Sequence, residues 1–356
     1  MDGSLRNITL CFDNSDRSMD ASAAAMALAK AFGSRVTGVH GYNAVMHEGA
    51  FRIMEPTLPA RYQKEEVLQR QRAVHKTLIN VGMEKISLSY LKPLEDAFGA
   101  AEVPFRAEVR EGKNFLVLRD MISEAGGDLV VMGASGFNSN GSGFMGSVCL
   151  RVLRGVDGNF LLIKKPLNLR SPRIVVGLDG SASAVGALRA AAALAGRLGG
   201  DVHLVYAFDS SLHKDLFGRL KESLINGDGF AFNSREQEQI HDEFIDKGLA
   251  RVGRMILDRA EGEVFPGGGD PMAMGGWGLP GKGGFVPRVK KVLEGHVYKR
   301  ICEYAEEAGA DLVCLGRTGR HYAEGVDIGS VAENVARFSP ASVLITRHEA
   351  HEGWRL

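Results

Sequence analysis

One spacing of glycines occurs twice in this chain, each time in the same local setting, and the repetition narrows the folds open to it. Gly133-Ala134-Ser135-Gly136 is followed after nine residues by Gly146-Ser147, and Gly316-Arg317-Thr318-Gly319 after nine residues by Gly329-Ser330. Each copy follows a short apolar run, residues 129–132 and 312–315, and precedes a helix-like stretch beginning at Val148 and at Val331. Glycines between a buried strand and a helix N-terminus let backbone N–H groups close on an anion. Two copies predict two phosphate-binding sites.

The repetition extends beyond the glycines. With a shift of 166, Asp13 falls on Asp179, Ser15 on Ser181, and Gly33, Val36 and Val39 on Gly199, Val202 and Val205. His47, Phe51, His75, Ile79 and Gly82 meet His213, Phe217, His241, Ile245 and Gly248. The distance from the aspartate to the first glycine is 120 positions in the first half and 137 in the second, a net insertion of 17. The glycine-rich stretch 267–284 is its natural place. Prolines 166 and 172 bracket a linker. These boundaries predict two domains, 1–166 and 171–356, the second with a glycine-rich insertion at 262–285.

Each half alternates strand-like and helix-like segments. Strands are expected at 8–12, 36–39, 105–109, 129–133 and 160–163, and again at 174–178, 202–206, 286–289, 312–316 and 343–345. Alanine- and leucine-rich helices, such as 182–198 and 297–308, lie between them. Such alternation implies a parallel sheet with helices on both faces. Ligands of open α/β sheets bind beyond the carboxyl ends of the strands, where strand order reverses. Asp13, the segment after His40 and the Gly133 loop all follow strands, so they should share that edge.

Composition excludes several classes. Apolar residues make up 45% and charged residues 24%, ordinary for a globular protein. Lysine plus arginine equals aspartate plus glutamate, 43 each, which argues against bulk capture of nucleic acid. Cys11, Cys149, Cys302 and Cys314 form no C-x-x-C pair and are expected to be reduced, buried thiols of a cytoplasmic protein. Met1-Asp2-Gly3-Ser4 does not read as a signal peptide, and no apolar run approaches the ~18 residues of a membrane span. No histidine, cysteine or carboxylate cluster has zinc spacing, so no metal ligands are assigned.

At these residues both halves resemble the universal stress protein family. Its nucleotide-binding members carry G-x2-G-x9-G-(S/T) after the fourth strand and an aspartate ending the first. The resemblance implies two tandem doubly wound α/β domains, each a five-stranded parallel sheet of order 3-2-1-4-5. It implies that ATP or another adenine nucleotide binds, with Mg²⁺ or Mn²⁺ accompanying the phosphates. Asp13 and Asp179 would accept hydrogen bonds from the adenine or ribose end, and the backbone at Gly41 and Ala207 would grip adenine. Gly133, Gly136, Gly146, Ser147 and Val148 would form the first cradle. Gly316, Gly319, Gly329, Ser330 and Val331 would form the second, and Ser147 and Ser330 would serve as helix N-caps and phosphate donors. The resemblance also implies pairing through the last strand of each domain, giving an internal pseudo-dimer and a homodimer.

The two cradles differ in charge. Arg317 and Arg320 can pair with phosphate oxygens in the second, whereas the first has no cation until Arg151. Tighter triphosphate binding is therefore expected in the second half. His47 with Phe51, and His213 with Phe217, follow the second strands and suggest a short lid over each pocket. The Gly267–Gly284 stretch lacks a G-K-[ST] ending and is read as a mobile, glycine-rich loop, with docking of an unknown protein partner by its Met, Trp and Leu side chains as the alternative. No general base is arranged near the loops. The sequence thus predicts a nucleotide-responsive stress regulator or survival factor rather than an efficient enzyme. Slow ATP hydrolysis is one alternative, and a scaffold with vestigial or altered pockets is another.

Overall fold

The structure, a computed structural model, describes residues 5–136, 145–211, 219, 247–265, 288–320 and 327–347. His213, Phe217, His241, Ile245 and the glycine-rich insertion from 266 onward lie outside them. The chain divides into two compact units, Leu5–Pro166 and Leu167–Leu356.

In the first unit the order is β1 (Asn7–Cys11), α1 (Asp16–Phe32), β2 (Arg35–Tyr42), α2 (Ala44–Met54), α3 (Glu65–Ala100), β3 (Phe105–Glu111), α4 (Asn114–Ala125), β4 (Leu129–Gly133), α5 (Ser147–Gly155) and β5 (Phe160–Ile163). The strands lie in the order β3-β2-β1-β4-β5, and the pairs are parallel. The second unit has β6 (Arg173–Gly177), α6 (Ala182–Leu198), β7 (Asp201–Phe208), α7 (Gly248–Val264), β8 (Arg288–Glu294), α8 (Val297–Glu307), β9 (Leu312–Gly316), α9 (Ser330–Phe338) and β10 (Ser342–Thr346). Its order, β8-β7-β6-β9-β10, is the same. The expected α/β architecture and its 3-2-1-4-5 strand order are both present.

The register follows the repeat. Ile8 lies between Val36 and Leu129, and its counterpart Ile174 between Val202 and Leu312. Central parallel strands are covered on both faces, so they read as continuous apolar runs rather than alternating ones. Leu10, Val131, Leu162, Val175, Val313 and Ile345 are fully buried accordingly.

Local signals set the helix that follows each first strand. Ser15 caps α1 by accepting from the Ser18 amide, and Ser181 caps α6 by accepting from the Ala184 amide. Each helix ends on a left-handed glycine, Gly33 and Gly199. The strand expected at 286–289 runs instead from Arg288 to Glu294. Its Arg-Val-Lys-Lys-Val-Leu-Glu sequence is too polar to be found by apolarity, because it is an edge strand. Lys290 reaches back to Asp258 (2.6 Å) and Glu261 (2.8 Å) of α7. Among the described residues, no helix is long and apolar enough to cross a membrane.

Candidate functional site

Beyond the carboxyl end of each first strand the chain makes the same turn. Asp13 Oδ1 accepts from the Ser15 amide (3.1 Å) and hydroxyl, and Asp179 Oδ1 accepts from the Ser181 amide (2.9 Å). The residue between aspartate and serine is left-handed in both, Asn14 at φ 62° and Gly180 at φ 83°. Asparagine and glycine are the residue types that tolerate this region. Each aspartate therefore closes an Asx turn with one oxygen and turns the other toward the glycine loop.

The glycine loop packs onto that turn. A Cβ on Gly133 would lie 2.9 Å from the Arg17 backbone, and one on Gly316 would lie 2.5 Å from the Ser183 carbonyl carbon. A Cβ on Gly136 would lie 2.9 Å from Asp13 Oδ2, and one on Gly319 would lie 2.7 Å from Asp179 Oδ2. The first two glycines of each motif are thus needed for the contact of strand end, first helix and aspartate. The third is different. Gly146 (φ −64°, ψ 146°) and Gly329 (φ −67°, ψ 144°) have extended backbones that any residue adopts. A Cβ there would approach nothing closer than 3.5 Å at Gly146 and 3.4 Å at Gly329, next to the Gly136 and Gly319 amides. These are ordinary van der Waals distances, so protein packing does not require glycine at either position.

The loop returns on itself through Gly146 N–H to Ala134 O (2.7 Å) and Gly329 N–H to Arg317 O (2.8 Å). Ser147 and Ser330, expected as N-caps, are the first helical residues of α5 and α9; the caps are Gly146 and Gly329. No side chain closes either first turn. The amides of Ser147, Val148 and Cys149, and of Ser330, Val331 and Ala332, have no partner within their own helices. They and the helix dipole face the cavity with partial positive charge.

A cavity of about 550 Å³ lies at this edge of the first unit, lined by Asp13, Gly41, Gly133, Gly136, Gly146, Ser147 and Val148. One of about 740 Å³ in the second unit is lined by Asp179, Ala207, Gly316, Arg317, Gly319, Arg320, Gly329, Ser330 and Val331. Both fall within the range of small-molecule sites. Sequence reasoning missed the deeper walls. Ser18, His40, Asn114, Met132 and Cys149 line the first cavity, and Ala184, Tyr206, Val297, Leu315 and Ala332 the second. The repeat register carried a signal for one pair: a shift of 166 sets His40 on Tyr206, just before Gly41 and Ala207.

The arginines divide their roles. Arg317 is buried, and its Nε donates to the Asp327 carbonyl (2.6 Å), tying the end of the loop to its start. Arg320 is exposed; its amide donates to Asp179 Oδ2 (2.9 Å), and its Nη2 lies 2.8 Å from where a Gly180 Cβ would be. Burial raises the Tyr206 phenol above its ordinary range, Arg320 opposing that shift and Asp179 adding to it. In the first cavity burial, reinforced by Asp13, pushes the Cys11 thiol up to about 12, and burial also raises Cys149. Both thiols are therefore neutral walls rather than nucleophiles.

His47 and Phe51 lie on α2, apart from the residues that line the first cavity. Phe51 stacks on His75 of α3, with ring centroids 4.2 Å apart. The pair borders a separate hollow of about 140 Å³ beside Arg72.

Fold and site together define a doubled α/β protein with a glycine-loop cradle at the switch point of each sheet. The universal stress protein family model matches residues 4–164, 171–223 and 281–347, and the chain belongs to that family. A universal stress protein of Thermus aquaticus is 30% identical over 159 residues, 45% of this chain and 98% of that protein. A universal stress protein from Archaeoglobus fulgidus has the same fold, with a TM-score of 0.56 at 16% identity, covering 96% of this chain and 98% of its own. A functionally unknown protein from Pseudomonas aeruginosa superposes with a TM-score of 0.55 at 12% identity, covering 96% and 92%.

Proposed function

We propose that this protein binds purine nucleotides, ATP or another adenine nucleotide foremost, and acts as a nucleotide-responsive regulator or survival factor in the stress response. One observation carries the reading. Each cavity ends at a helix first turn left open by a glycine cap, and packing gives that glycine no other reason. An open helix N-terminus with a bare backbone in front of it suits a phosphate chain. Asp13 and Asp179 stand ready as acceptors at the other side of the cradle. Mg²⁺ or Mn²⁺ would arrive with the phosphates. A homodimer in the cytoplasm is the setting we assign to this activity, and light scattering of the purified protein tests the dimer.

Calorimetry with ATP tests the binding. The expected stoichiometry is two nucleotides per chain. Gly146→Val, which fills the first cradle, should reduce it to one, and so should Gly329→Val. No heat and no binding by equilibrium dialysis would remove the proposal.

A further inference from the structure

We propose that the second cavity selects guanine over adenine through Arg320, while the first suits adenine. This rests on the reading that both cradles hold nucleotide phosphates. With the phosphates at the open helix turn, the base lies toward the opposite end, where Asp179, Tyr206 and Ala207 line the second cavity.

The Arg320 guanidinium stands beside Gly180, the residue after Asp179, at the end of the cavity assigned to the base. Its backbone is fastened to Asp179 (2.9 Å), and its Nη2 lies 2.8 Å from the vacant Cβ position of Gly180. Gly180 is what makes this room: the first unit has Asn14 at the same left-handed position. Among the described residues, the guanidinium has no hydrogen-bond or ion-pair partner.

A guanidinium donates and cannot accept. Adenine presents an amino donor beside N7, which leaves one arm of such a fork facing another donor. Guanine presents two acceptors, O6 and N7, that match the fork. The first cavity offers the reverse. His40 replaces Tyr206, and its Nδ1 lies 2.6 Å from the Phe12 carbonyl oxygen. A carbonyl only accepts, so Nδ1 donates to it, and in that tautomer Nε2 is the acceptor, suited to the adenine amino group.

The test uses the full chain carrying Gly146→Val, so that only the second cavity fills. It is titrated with GTP and with ATP by calorimetry, alone and combined with Arg320→Gln or Gly180→Asn. GTP should bind on the order of tenfold more tightly than ATP, the discrimination expected of one bidentate pair. Each added substitution should bring the ratio close to one through lost GTP affinity. Gly180→Asn installs the residue of the first repeat, which tolerates the backbone and displaces the guanidinium. Equal affinities before the second substitution would overturn the inference and leave nucleotide binding intact. An equal loss for both nucleotides in Arg320→Gln would also overturn it, by placing the guanidinium on the phosphates. If the unmodified chain binds neither nucleotide, both this inference and the proposed function fall.

Discussion

Three glycines that look alike in the motif have unlike physical reasons. Gly316 permits contact with the Ser183 backbone, Gly319 permits contact with Asp179, and Gly329 would place a Cβ only in ordinary contact with the Arg317 carbonyl oxygen (3.4 Å). Their substitutions should separate. Gly316→Ala sets a Cβ 2.5 Å from a backbone carbon that cannot move aside, so a loss of roughly 1–3 kcal/mol is expected in urea denaturation. Gly329→Ala should change stability by less than about 0.5 kcal/mol, the range for sites free of such conflicts, while weakening nucleotide binding. The spacing of the three was legible in the sequence. The division of labour was not, because it depends on which atoms of a distant helix and aspartate face each position.

The helix that follows β6 was readable end to end: 182–198 is expected from its alanine and leucine content, and Ala182–Leu198 is observed. Ser181 caps α6 by accepting from the Ala184 amide (3.2 Å), and Gly199 ends it. Ser181→Ala should therefore destabilise by about 1 kcal/mol, measured as a shift in denaturation midpoint. Ser147 and Ser330 show the limit of this kind of reading. Serine after glycine resembles a cap, yet the chain enters α5 and α9 one residue earlier, so glycine takes the cap and the hydroxyl falls inside the first turn. The predicted lid fails to assemble over the first cavity for a related reason. Phe51 finds a stacking partner, His75, on its own side of the α2–α3 pair. Periodicity shows that a side chain needs a partner, but not which neighbour supplies it.

At the scale of the whole molecule the buried thiols set a response to alkali. Burial pushes Cys11 up to about 12 and raises Cys149 and Cys314 further. A thiol with a raised native pKa favours the fold fully below its ordinary value of 9.0. Above that the unfolded chain ionises while the native chain cannot, so stability falls as pH climbs from 9.0 toward 12. Urea midpoints at about pH 8 and about pH 10.5 should differ, and Cys11→Ala should narrow the difference by removing one of these groups. An unchanged difference would mean that other groups govern the alkaline limb.

The repeat, the alternation of strand and helix and the doubled glycine spacing are all statements about neighbours along the chain. For that reason the amino-acid order alone determined the fold class and the edge on which the site lies. Three things waited for the tertiary structure: the burial of Arg317 against the Asp327 carbonyl, the reach of Arg320 into the gap at Gly180, and the facing of His40 and Tyr206 into equivalent cavities. Each depends on residues brought together from distant segments. Side-chain direction there is decided by the space that packing leaves open, which no local pattern encodes.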